Sequence, residues 1–211
     1  MKIPQRTNRR RFLSGMAAVP AMVMMPEMGV ATTDDGISIL GPKPGYTPQL
    51  GTLVSMLMWM QPAVTRPVKG LTQAQLDYLL DTNANSIGAL LLHLAATERF
   101  YQLHTFDGMK WGDFPKAEQE RWGAAMELGE AGRKTIKGHD LKFYIDAMTE
   151  VRERSLAEFK KRDDAWLMTV DKSWPWGPTN NYCKWFHVCE HESHHAGQID
   201  MLLKRVPGAK A

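Results

Sequence analysis

Residues 87–94 read Ile87-Gly88-Ala89-Leu90-Leu91-Leu92-His93-Leu94, an apolar run dense enough to be buried on most of its circumference. A helix of that kind is stable only when other elements surround it. No stretch of the chain shows the alternation of a half-buried strand, so helices must do the covering. Three further segments supply them. Thr47 with Pro48 predicts an N-cap and first helical position, opening a helix to about Thr65 with Leu50, Leu53, Val54, Leu57, Met58 and Met60 on its apolar surface. Pro62 is expected to kink or end it. Asn83–Ser86 caps the apolar helix itself, which runs to about Phe106. Asp140 caps a third, from Leu141 to about Lys161, in which Leu141, Ile145, Met148, Val151, Ser155, Leu156 and Phe159 keep a period near 3.6. The last spans about Asn181 to Val206 and stops before Pro207-Gly208. The expected fold is all-α, a four-helix bundle.

The connections are uneven. Leu71–Asp81 reads as a short amphipathic segment. Residues 107–138 are glycine-rich and read as a long connection with a loose helical turn or two around Pro115–Leu128. Trp174-Pro175-Trp176-Gly177-Pro178 is an aromatic loop. Met56, Met58 and Met60 lie among Leu, Val and Trp and read as core filler rather than a soft-metal site. Cys183 and Cys189 are six residues apart, about 9 Å along a helix, whereas a disulfide needs Cα atoms within about 7 Å. Two separate thiols are expected.

The N-terminus stands apart from this pattern. Asn8-Arg9-Arg10-Arg11-Phe12-Leu13-Ser14 resembles a twin-arginine export signal. A weakly apolar run from Gly15 to Met25, broken by Pro20 and Pro26, is too short for a stable membrane span. Gly29-Val30-Ala31 offers small residues for cleavage after Ala31. The expected division is a signal over 1–31, a linker rich in Gly, Pro, Thr and Asp over 32–46, the helical domain over 47–206 and a tail over 207–211. The expected location is periplasmic or exported. Residues 1–31 hold five of the 26 basic side chains and one of the 23 acidic ones, so the remainder is close to neutral. A neutral body is not built for phosphate backbones, and nucleic acid is excluded as a partner.

Chemistry concentrates in the last helix. His187, His191, His194, His195 and Gln198 all fall within an arc of about 100° of its surface. Two histidines four apart offer imidazoles to one divalent ion. His93, inside the most apolar helix, must find a partner within the core, and a His-x-x-x-His helix across the bundle offers one. His191-Glu192-Ser193-His194-His195 also spells the His-Glu-x-x-His of zinc peptidases. Gln198 and Met201 stand where the extended motif needs Gly and His, and no Glu follows Glu192 to serve as the third ligand. A peptidase is therefore disfavoured.

Asn85-Ser86-Ile87-Gly88-x-Leu90-Leu91-x-His93-Leu94-Ala95-x-x-Glu98 resembles the second helix of DinB-like (YfiT-like) metalloproteins. His187-Val188-x-x-His191-Glu192-x-x-His195-Ala196-Gly197-Gln198-Ile199 resembles their fourth, with Ala196 where Arg is frequent. The resemblance extends over about residues 47–206. It implies an up-down-down-up bundle with a divalent metal held by His93, His191 and His195. Zn is the default, with Ni, Fe or Mn as alternatives that imidazole also suits. His187 and Gln198 are expected to orient imidazoles. His194 is expected outside the site, and His104 and His139 solvated. Glu98 is expected in a structural salt bridge and Glu192 at the surface. Three imidazoles leave positions open for water or substrate. The first functional expectation is a metal-dependent transferase or hydrolase acting on a small molecule. The second is a non-enzymatic, metal-binding or stress-related bundle, for which a homodimer is one expected assembly.

Overall fold

The computed structural model describes residues 39–208. The expected export signal and cleavage site, the linker up to residue 38 and residues 209–211 lie outside the described residues. Within them the fold is all-α: eight helices and one pair of two-residue strands. Four helices are long: α1 Pro48–Thr65, α3 Ile87–Thr105, α6 Leu141–Phe159 and α8 Asn181–Leu203. Between them lie α2 Gln73–Leu76, α4 Lys116–Glu127, α5 Gly129–Thr135 and α7 Asp164–Met168, with β1 Val170–Asp171 antiparallel to β2 Thr179–Asn180.

Side-chain pairings fix the directions of the long helices. Gly88 meets Tyr144 and Gln102 bonds to Ser155, so α3 and α6 run together. His93 meets His191 and Thr105 meets Trp185, so α3 and α8 are antiparallel. Tyr46, just ahead of α1, bonds to the Leu156 carbonyl, while Leu57 accepts from Arg152, so α1 opposes α6. The order is up-down-down-up. At Gly88 the approach of α6 requires glycine, because a Cβ would lie 2.7 Å from the Tyr144 ring.

Local chemistry accounts for the helix starts. Ser86, Asp140 and Asn180 each accept a backbone N–H three residues on, from Ala89, Phe143 and Cys183. Thr47 makes no such bond. Its hydroxyl instead donates to Asp164 of α7, whose carboxylate also accepts from the N–H groups of Gln49 and Leu50. The cap of α1 is thus supplied from more than a hundred residues away, and a negative charge there also complements the helix dipole.

Three expectations need correction. Pro62 does not end α1, which continues to Thr65. The carbonyl that loses its partner belongs to Met58, which is exposed and can turn to water. Met58 is accordingly not core filler. The short amphipathic segment expected over Leu71–Asp81 holds a single turn with Leu76 buried, closed by a Thr72–Gln75 capping box, and needs no correction. The largest difference is in 107–138, which is two packed helices rather than a loose connection. Gly108, Gly112, Gly129 and Gly138 sit at positive φ in turns that bound these helices, and Trp122 and Ala125 are buried against α3. The two cysteines are free, Cys183 exposed and Cys189 buried, as expected.

Candidate metal centre

Three rings meet where the middle of α3 faces the middle of α8. His93 Nε2 lies 2.8 Å from His191 Nε2, and His195 Nε2 lies 3.1 Å from the same atom. One ligating nitrogen from each of the three falls within 4.8 Å of the others. His93 and His195 are buried, and His191 is the ring through which the cluster reaches solvent.

The distal nitrogens determine what the cluster can do. His93 Nδ1 is 2.8 Å from the Ala125 carbonyl of α4, an acceptor only, so Nδ1 must carry the proton. His195 Nδ1 is 2.8 Å from Gln198 Oε1, which fixes the same tautomer, and Gln198 Nε2 meets His194 Nε2 at 3.0 Å. Both Nε2 atoms therefore present lone pairs to His191. His191 Nε2 can carry one proton and satisfy one neighbour, so one lone pair is left facing a nitrogen. A cation resolves this arrangement, and the donor set fits a divalent ion.

Electrostatics favour the same form. Burial pushes His191 down to about 3, and neighbouring His195 and His93 push in the same direction. His195 is lowered to about 4, again by burial first. His93 is lowered by burial, against the opposing effect of its backbone bonds. All three are neutral at pH 7, the state in which imidazole ligates.

The surrounding residues divide into those that touch the triad and those that hold the helices. Gln198 orients His195, as the sequence suggests, whereas His187 bonds to Tyr101 rather than to a triad ring. Glu98 makes its expected salt bridge, with Arg152. Glu192 is not at the surface. It is buried, bonded to the same Arg152, and raised to about 7, burial outweighing the attraction of Arg152. Arg152 also donates to the Leu57 carbonyl, so one guanidinium ties α1, α3, α6 and α8. His104 is not solvated either. Its Nδ1 donates to the Met109 carbonyl and its Nε2 accepts from buried Lys184, which also pairs with Asp171. His139 stacks on Phe143, ring centroids 3.8 Å apart.

Sequence reasoning did not single out Arg152, Lys184 or the Ala125 carbonyl. The signal for Arg152 is its register: it falls on the stripe of Met148, Val151, Ser155 and Phe159, where an arginine needs buried acids opposite. Nothing in a sequence marks one backbone carbonyl over another.

A family model described as mycothiol-S-transferase matches residues 52–208. The chain belongs to the mycothiol-S-transferase family. This is a DinB/YfiT-like family, so the resemblance read from the helix motifs holds. No curated protein matches the sequence. The family is one of metal-dependent, transferase-like proteins, and the three clustered histidines of this member can bind a metal ion. Among the described residues no helix is long and apolar enough to cross a membrane.

Proposed function

We propose that this chain is a divalent-metal-dependent transferase that joins the sulfur of a small thiol to an electrophilic carbon of an acceptor, with release of the thiol proton and the acceptor's leaving group, and with His93, His191 and His195 as ligands and zinc as the resident ion. The observation that carries the reading is the convergence of Nε2 lone pairs, enforced by Ala125 and Gln198. When bound, such an ion supplies the Lewis acidity that brings a thiol or water toward deprotonation at neutral pH. The chain's own part is preorganisation. α4 and Gln198 hold two rings in the ligating tautomer, the core holds their rotamers, and the half-open side at His191 admits substrate.

The thiol class rests on the family's name. Residues 1–31 bear on which thiol. Read as an export signal, they place the helical domain in the periplasm, where a cytoplasmic low-molecular-weight thiol would not be met. We therefore propose S-transfer as the reaction class, and the thiol itself is open to a search by size and charge.

Elemental analysis of the purified protein should find one divalent ion per chain, and His191→Ala should lose it. Thiol consumption in the presence of an alkylating acceptor should stop with a chelator and return with zinc. Full metal content in His191→Ala would overturn the ligand set. Stoichiometric zinc without thiol consumption would overturn the transferase and favour the non-enzymatic reading.

A further inference from the structure

One residue on the ligand face of α8 is not absorbed by the triad. His187 lies one turn before His191, with ring centroids 5.2 Å apart. Its Nδ1 is 2.8 Å from the hydroxyl of Tyr101. Tyr101 is buried on α3 beneath Trp111 and Trp174, at centroid distances of 5.1 and 5.6 Å. Burial raises its phenol well above the ordinary range, so it keeps its proton at every working pH. Among the described residues the phenol has one hydrogen-bond partner, His187 Nδ1, and must donate to it. Nδ1 is then an acceptor, and the proton of the neutral ring sits on Nε2. Among the described residues Nε2 makes no hydrogen bond, although the ring is half-buried beside the candidate centre.

The aromatic loop contributes the second part. β1 and β2 close its base, and Lys184 ties Asp171 to α8 at 2.9 Å. Trp174 turns inward over Lys184, while Trp176 stays 58% exposed with its ring 4.8 Å from that of His187. An exposed indole beside an N–H donor with no protein partner offers a face to a flat ring and a hydrogen bond to an acceptor atom on it.

We propose that His187 and Trp176 form the acceptor subsite: Trp176 takes an apolar aromatic ring, and His187 Nε2–H, held in that tautomer by Tyr101, takes an oxygen or halogen on it. The inference rests on the transferase reading and names the class of its second substrate. His187 and Trp176 are binding residues in it, and Tyr101 is a positioning residue.

The tautomer is measurable without activity. Nitrogen NMR of the zinc-loaded protein, with the His187 signals assigned by His187→Gln, should show a bare Nδ1 and a protonated Nε2. Tyr101→Phe should give a mixture. A proton on Nδ1 of His187 in the unaltered protein overturns the proposal. Dinitrobenzene, a flat ring with acceptor oxygens and no leaving group, serves as the binding probe. His187→Ala and Trp176→Ala should each weaken its binding about tenfold, the order expected for one hydrogen bond or one aromatic contact, with zinc still at one per chain. His187→Gln, which keeps an N–H donor, should recover most of the loss, which a merely structural role would not produce. No binding by the unaltered zinc-loaded protein, or binding by both alanine variants as tight as that of the unaltered protein, overturns the subsite and leaves the metal centre standing. Absence of zinc from the unaltered protein overturns the metal centre instead.

Discussion

A single ion pair shows how residues outside the centre hold its surroundings. Lys184 is almost fully buried, and its ammonium is satisfied by Asp171, His104 and the face of Trp174. Burial opposes ionisation of Asp171, but hydrogen bonds from Lys184 and Ser173 outweigh it and hold the carboxyl below the usual range. A carboxyl with a depressed folded-state pKa stabilises the fold above its unfolded value and loses that contribution as pH falls through the folded one. Asp171→Asn should therefore destabilise the protein at pH 7 by about 3 kcal/mol, because it leaves a buried ammonium without its counter-charge. The difference from the unaltered protein should shrink below the unfolded carboxyl value of 3.8, where acid neutralises Asp171 in the unfolded chain while the folded protein still holds it ionised. Urea unfolding at a series of pH values would show it, and a gap that stays constant down to pH 3 would refute the assignment.

At the scale of elements, the four long helices were legible because each carries its own start signal and a stripe of period 3.6. The apolar α3 and the histidine spacing of α8 also put three rings on facing surfaces before any coordinates. The short elements were not legible, for a physical reason. In 107–138 glycine marks turns and interior helical positions alike, and only packing distinguishes Gly108 from Gly123. Glu192 and His104 were misplaced because their partners, Arg152 and Lys184, lie on other elements. α4 offers the sharpest test. Trp122 is its buried anchor against α3, and truncating such a ring costs about 3–5 kcal/mol. Trp122→Ala should lower stability by that order and also weaken metal binding, since Ala125 on the same helix holds His93. Losing one such outer hydrogen bond lowers metal affinity by about 10–100-fold. Competition with a chromophoric chelator would measure it, and unchanged affinity would show that His93 needs no help from α4.

Over the whole molecule, charge and chain order bear on where the protein works. All of its basic excess sits in residues 1–31, and the remainder is close to neutral. If those residues form the proposed twin-arginine signal, changing Arg9 and Arg10 to Lys should leave the precursor in the cytoplasm, visible by fractionation and immunoblot. Periplasmic delivery of the variant at the normal level would reduce the segment to a basic arm. The Ala125–His93 bond has a consequence for the folded body itself. An ion that binds better when α4 is docked must, by thermodynamic reciprocity, hold α4 down by the same free energy. Removing the metal should then loosen a helix with no ligand of its own, so chelation would expose α4 to proteases while the four long helices stay protected.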